Sequence, residues 1–326
     1  MSLSAIILAA GRSTRMKSAL PKVLHEICGR PMLDYVLAAC FEAGCDKVMV
    51  VVGHGKDEVM SAFAHESRIE WVEQVEQLGT GHAAKMAQKH LQNQHGDVFI
   101  LTGDGPLIRG EVLRTLLNAH REEKAAGSMA TAMLDNPFGY GRVVRDAEGN
   151  FLDIVEELDA TPEQREIREV FPSYYCIKAQ ELCFAFDHLT NNNKKHEYYL
   201  TDVFGILRKA GKKVVAVQAV AVEDILAVND RQQQADVDAI MQYRIQRQLR
   251  DAGATIVSSD ATYIESGVTV GRDTIIHPFS HIGRDASIGS DCVIGPFAYI
   301  ARQAIIPDGS TVAGNEVMPL QPWRSA

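Results

Sequence analysis

Leu8-Ala-Ala-Gly-Arg-Ser-Thr-Arg-Met16, followed by Pro21-Lys22, is the stretch from which the rest of this 326-residue chain can be read. It comes directly after Ala5-Ile-Ile-Leu8, an aliphatic run of the length of a buried parallel strand, and before a helical pattern that begins near Pro31. A strand that opens into a loop of small residues offers backbone N–H groups to an anion, and Arg12, Arg15 and Lys22 bring cationic charge to the same place. The pattern is that of a phosphate cradle, although alone it would also describe a basic surface turn. The three-glycine dinucleotide fingerprint is absent, and so is the Gly-Lys-Ser/Thr of the P-loop.

Length and composition limit what such a cradle serves. A chain of this size buries a sizeable core and is expected to hold two domains. The formal net charge of -9 argues against nucleic acid or an anionic membrane as partner, so any phosphate must be met by local positive charge. Six scattered cysteines form no Cys-x-x-Cys pair, which favours free thiols in a reducing compartment. With no cationic region before the first apolar run and no bilayer-length apolar stretch, the expectation is a cytoplasmic protein.

Beyond the loop, strand and helix patterns alternate. Pro31–Ala43 has helical spacing and stops at Gly44; Lys47–Val52 is a strand; a helix passes through Val59 and Phe63; Ile69–Val72 is a strand; Thr80–Leu91 is a helix; and Val98–Leu101 is a strand. This predicts an α/β, Rossmann-like domain: a mostly parallel sheet with helices on both faces. Ligands in such sheets bind beyond the carboxyl ends of the strands, which draws attention to Glu73–His82 and to Thr102-Gly-Asp104. Gln74 has both a carbonyl and an amide and can pair with the imide edge of uracil. Thr80 reads as an N-cap after Gly79. Asp104, at a strand end between two glycines, suits a Mg²⁺ site built from one or two protein oxygens and substrate phosphates; the alternative is a turn aspartate capping its own backbone.

Taken together, these segments resemble the bacterial bifunctional N-acetylglucosamine-1-phosphate uridylyltransferase/glucosamine-1-phosphate acetyltransferase family, a group of sugar-phosphate nucleotidyltransferases. The first loop is similar to the signature Leu-Ala-Ala-Gly-x-Gly-Thr-Arg-Met with Pro-Lys, and Gln74-Val-Glu-Gln-Leu-Gly-Thr-Gly-His-Ala83 to the uracil-binding segment. The resemblance extends over roughly residues 3–231, through Gly139-Tyr-Gly-Arg142, Ile154-Val-Glu156, Asn191–Asp202 and Val228-Asn229. It implies nucleotide contacts at Leu8, Ala9, Ala10, Gly11, Gln74, Gly79 and Thr80, and sugar contacts at Gly141, Glu156 and Asn229. It also implies Asn229 as the second metal ligand beside Asp104, with Arg15 and Lys22 as the catalytic cations. Three positions depart from the family pattern: Ser13 replaces a glycine, Leu158 a lysine, and Phe171-Pro172-Ser173 replaces Asn-Thr-Gly, whose asparagine contacts the amino sugar.

The C-terminal third changes period. After an amphipathic pattern from Gln232 to Ala252, aliphatic residues recur every six positions at Ile264, Val270, Ile276, Ile282, Ile288, Ile294, Ile300, Ile306 and Val312. That spacing predicts a short left-handed parallel β-helix of about three coils, expected to bury its sides as a homotrimer. The domain plan is thus 1–231, a linker helix 232–253, the β-helix 254–318, and a tail 319–326 whose Trp323 is expected to cover the last coil.

The activity this implies is a Mg²⁺-dependent reaction of UTP with a sugar-1-phosphate, giving a UDP-sugar and pyrophosphate. N-acetylglucosamine-1-phosphate is the sugar of the resemblance. Another hexose-1-phosphate, or a non-catalytic protein that binds nucleotide sugars, remains the alternative. The segments that carry the family's acetyltransferase chemistry have no counterpart here, and His277 and His281 lack a matching partner motif.

Overall fold

Strand β1 (Ser2–Ala9) is aliphatic from Ala5 onward and buried along almost its whole length, as a central strand covered on both faces requires. The computed structural model describes residues 2–92, 94–314 and 317–318; the predicted tail 319–326 lies outside these. The chain divides into two units. The first comprises residues up to Leu24 together with Met32–Asp230, and the second His25–Pro31 together with the residues from Arg231 onward. Segment 25–31, assigned to the first domain on sequence grounds, groups with the second unit.

Strands β2 (Glu26–Ile27) and β3 (Arg30–Pro31) are the antiparallel hairpin of that segment. The first unit continues with β4 (Lys47–Val52), β5 (Ile69–Glu73), β6 (Gly96–Thr102), β7 (Gly127–Met133), β8 (Gly141–Arg145), β9 (Phe151–Val155), β10 (Glu169–Lys178) and β11 (Val214–Gln218). The main sheet runs β11-β7-β10-β6-β1-β4-β5, with β8 and β9 as a side ribbon on β10. The β6-β1-β4-β5 half is parallel. Helices Met32–Glu42 and Gly110–Glu122 cover one face through Leu33, Val36, Leu113 and Leu116. Ala83, Leu182, Phe186 and Phe204 belong to the core on the other. Each such large apolar side chain contributes about 1.5–3 kcal/mol by leaving water.

Two departures from the sequence reading are informative. β10 runs antiparallel between β6 and β7, where no strand was assigned. Its alternation is interrupted by Pro172 and by a register shift between Val170 and Tyr174, which hides its strand periodicity. The helix expected over Thr80–Leu91 is two shorter ones, Thr80–Lys85 and Gln88–Leu91.

In the second unit, helix Arg231–Asp251 leads into three parallel ladders of two-residue strands. Partners lie eighteen positions apart, Ile264 opposite Ile282 and Ile282 opposite Ile300, so one coil is three hexapeptides. All nine aliphatic positions of the repeat are buried, and they form most of this unit's core.

Candidate active site

The loops after β1, β5 and β6 come together in the first unit around a cavity of about 440 Å³. Leu8, Ala9, Ala10, Gly11, Arg15, Lys22, Gln74, Gly79, Thr80 and Asp104 all line it. This follows from the sheet order: β1 lies between β4 and β6, with β5 next, so the carboxyl ends of these parallel strands open on one side.

The first loop is held on both flanks. The Ala10 carbonyl accepts from Gln77 Nε2 at 2.8 Å and from the His54 backbone N–H at 3.4 Å. The turn beneath it must be glycine, since a Cβ on Gly53 would stand 2.9 Å from the Ala10 oxygen. Ser13 adopts φ 53, a left-handed conformation that glycine takes without strain; its Oγ bonds back to the Gly11 carbonyl at 3.3 Å. Replacement of the family's glycine by serine thus leaves the glycine-type backbone in place. Sequence reasoning did not single out Gln77, although it stands in the same Gln-x-x-Gln run as Gln74.

Gln74 is buried, with Nε2 3.0 Å from His82 Nδ1 and 3.4 Å from the Gly79 carbonyl oxygen. Gly79, at φ 111, is itself the N-cap of the helix that follows, and a Cβ there would meet the Tyr198 carbonyl oxygen at 2.6 Å. Thr80 is therefore the first helical residue and not the cap. Its hydroxyl accepts from the Leu200 backbone N–H at 3.2 Å.

The charged centre joins residues from distant parts of the chain. The Lys22 ammonium donates to the Asp104 carboxylate and, at 3.1 Å, to Asn229 Oδ1. Arg15 Nη2 donates to the same amide oxygen at 2.9 Å. The Val228 backbone N–H bonds the Asp104 carbonyl at 2.9 Å, fixing the segment that carries Asn229 beside the end of β6. Asp104 and Asn229 thus turn two oxygen acceptors toward the same cationic group, the Lys22 ammonium. Among the described residues, no group of three or more His, Cys, Asp or Glu is arranged to hold a metal.

The residues proposed for the sugar are built differently. Gly141 and Glu156 are not among the residues lining the cavity. Gly141 pairs with Phe171 across β8 and β10, and a Cβ on it would lie 2.9 Å from Ile154 Cγ2 and 3.9 Å from Glu156 Oε2. Glu156 accepts from the Thr201 hydroxyl at 3.1 Å, and burial raises its pKa. Phe171 is 4% exposed and packs edge-on against Tyr175 and Phe204, with ring centroids at 4.7 and 5.8 Å. It is a core residue. Leu158 is exposed, and its carbonyl accepts from Lys194 Nζ at 2.6 Å.

Both parts of the chain are similar to known proteins. Residues 5–172 match the MobA-like NTP transferase domain, just over half of the chain. The chain belongs to the MobA-like NTP transferase family. Residues 267–302 match the bacterial transferase hexapeptide repeat. Among curated relatives, "Bifunctional protein GlmU" of Alkaliphilus metalliredigens is 45% identical over 278 residues, 85% of this chain and 60% of that protein. The protein of the same name from Geobacter metallireducens is 44% identical over 280 residues, 86% of this chain and 59% of that protein. The chain therefore spans about three fifths of the length of these relatives. A solved UDP-glucose pyrophosphorylase in complex with UDP-glucose superposes with a TM-score of 0.63 at 18% identity, over 75% of this chain and all of that one. This family member thus shares the nucleotidyltransferase fold with that enzyme.

Proposed function

We propose that this chain is a Mg²⁺-dependent uridylyltransferase that converts UTP and N-acetylglucosamine-1-phosphate into UDP-N-acetylglucosamine and pyrophosphate. The observation that carries the reading is the meeting of Arg15, Lys22 and Asp104 at a cavity bounded by the Leu8–Gly11 loop, with Asn229 Oδ1 accepting from both Arg15 and Lys22. Two anions must be brought together there and charge develops on the phosphoryl oxygens, which is what fixed cations in a partly buried site stabilise. A sugar-phosphate oxygen attacks the α-phosphorus in line, the bond to the β-phosphate oxygen breaks, and pyrophosphate leaves. Because the attacking phosphate is already ionised, no general base is needed.

Each residue has a definite part in this reading. Arg15 steadies the triphosphate tail and the leaving group, Lys22 neutralises the reacting phosphates, and Gln74, Gly79 and Thr80 hold the uracil end with the Leu8–Gly11 backbone. Asp104 and Asn229 would hold Mg²⁺, which supplies Lewis-acid stabilisation of phosphoryl charge. Gly141, Glu156 and Asn229 are assigned to the sugar.

The sugar itself rests on similarity to the GlmU proteins. The burial of Phe171 favours a second possibility, a different hexose-1-phosphate, because a core phenyl ring presents no polar atom to an N-acetyl group. We assign the protein to the cytoplasm, consistent with the absence, among the described residues, of any helix long and apolar enough to cross a membrane. We also assign it a homotrimer through the β-helix, whose outer positions include exposed Ile275, Tyr299 and Ile305.

The test is pyrophosphate release from UTP and Mg²⁺ with a panel of sugar-1-phosphates. Fastest release with N-acetylglucosamine-1-phosphate supports the full reading, and fastest release with another hexose corrects the sugar. Binding of UDP-sugars with no release for any sugar would replace the enzyme with a nucleotide-sugar sensor.

A further inference from the structure

Lys22 and Asn229, which meet in the first unit, each stand within three residues of a point where the chain leaves that unit: Lys22 ahead of His25, and Asn229 ahead of Arg231. Beyond those points the same two segments are joined again, within the second unit. The Cys28 backbone N–H donates to Asp238 Oδ1 at 2.7 Å, Gln234 Nε2 donates to the Glu26 carbonyl at 3.0 Å, and Arg231 Nη1 lies 3.1 Å from His25 Nδ1. Asp238 is fixed in turn by the Tyr263 hydroxyl, at 3.0 and 3.1 Å from its two oxygens.

Neither arm contains a slack loop. From Lys22 the chain passes through one 3₁₀ turn, Lys22–Leu24, directly into the β2-β3 hairpin. From Asn229 it passes through Asp230 into helix Arg231–Asp251, six residues of which lie between Arg231 and Asp238. The hairpin turn is well defined too, with Cys28 at φ 46 and Gly29 at φ 74, and its Gly29 carbonyl accepts from Arg284 Nη1 at 3.0 Å. Short arms of regular structure transmit a displacement that a flexible loop would absorb, and a misplacement of about 1 Å at a reacting centre can cost about a hundredfold in rate.

We propose that Asp238 is a positioning residue for the phosphate site: by clamping the 25–31 hairpin to the 231–251 helix, it sets the register of Lys22 against Asn229. The coupling runs through the covalent chain, and only its kinetic consequence rests on the uridylyltransferase reading. It gives the second unit a part in turnover distinct from assembly.

The test uses the full chain with Asp238→Ala, Asp238→Asn and Arg250→Ala. Asp238→Ala is expected to speed amide hydrogen exchange in segments 22–24 and 226–230 by about tenfold, leaving β1 and β6 unchanged. It is expected to lower kcat by about tenfold with the KM for UTP within about twofold. Asp238→Asn keeps an oxygen for the Cys28 N–H and should restore most of both. Arg250→Ala breaks only the 2.6 Å bond to Ser259 near the other end of the helix and should change neither. If Asp238→Ala does not fold, Arg231→Ala takes its place. A lowered Tm with wild-type exchange in both segments and wild-type kcat overturns the inference, and so does an equal response to Arg250→Ala. An exchange response in a chain that releases no pyrophosphate supports this inference and counts against the reaction.

Discussion

The charged cluster and the residues proposed for the sugar are held by different kinds of contact. In the charged cluster, four polar side chains from three parts of the chain converge in a partly exposed group, and their geometry is held by hydrogen bonds. In the second region strand pairing sets Gly141, ring packing in the core sets Phe171, and a hydrogen bond from the Thr201 hydroxyl holds Glu156. The difference teaches where substitution will be felt. Removal of a charge in the first region should cost turnover while the fold persists, whereas a change in the second should cost stability first.

The sharpest way to break this contrast is Asp104→Ala. It removes one oxygen donor and the partner of Lys22, and turnover should fall by about a hundredfold to a thousandfold with little change in Tm. Pyrophosphate release and a thermal melt on the same preparation decide it; activity near wild type removes Asp104 from the mechanism.

Phe171→Asn restores the polar residue of the family pattern but places an amide against the rings of Tyr175 and Phe204. Loss of the ring and burial of unpaired polar groups should destabilise the fold by about 3 kcal/mol, read by urea denaturation. A fully stable variant with altered sugar preference would show that Phe171 faces substrate after all. Gln77→Met is a milder probe of the nucleotide flank. Loss of its bond to the Ala10 carbonyl, about 1 kcal/mol, should raise the KM for UTP by about fivefold and leave kcat unchanged.

The smallest expected effect concerns Asp202, close to Glu156. Burial, with Asp153 and Glu156 adding repulsion, pushes its pKa up to about 6. A raised carboxylate pKa means that the folded state favours the protonated form: this stabilisation is complete at low pH and lost as pH rises through about 6. Asp202→Asn should therefore raise Tm near neutral pH, and the gain should vanish by about pH 4. A gain that persists at acid pH would show that charge is not its cause.

Much of this was readable along the chain because it depends on neighbours in sequence. The six-residue aliphatic period announced the solenoid, and all nine positions are buried. The loop from Leu8 to Lys22 reads as a cationic cradle, and Leu8 to Gly11, Arg15 and Lys22 line the cavity, whereas Arg12 does not. Other features were hidden because their causes are not local. β10 was missed because a proline and a bulge disturb its alternation, and its antiparallel course depends on β6 and β7. The grouping of segment 25–31 with the second unit follows from bonds to residues some two hundred positions away.

The amino-acid sequence by itself determined the elements and their chemistry: an aliphatic strand opening into a cationic loop, carboxylate and amide groups near strand ends, and a hexapeptide period. Backbone propensity and side-chain periodicity act over a few residues, so they are written locally. Only the tertiary structure decided that Arg15, Lys22, Asp104 and Asn229 meet, that Gln77 braces the loop, and that Phe171 belongs to the core. Those outcomes depend on which strands pair and which surfaces are buried, and packing is a property of the whole chain.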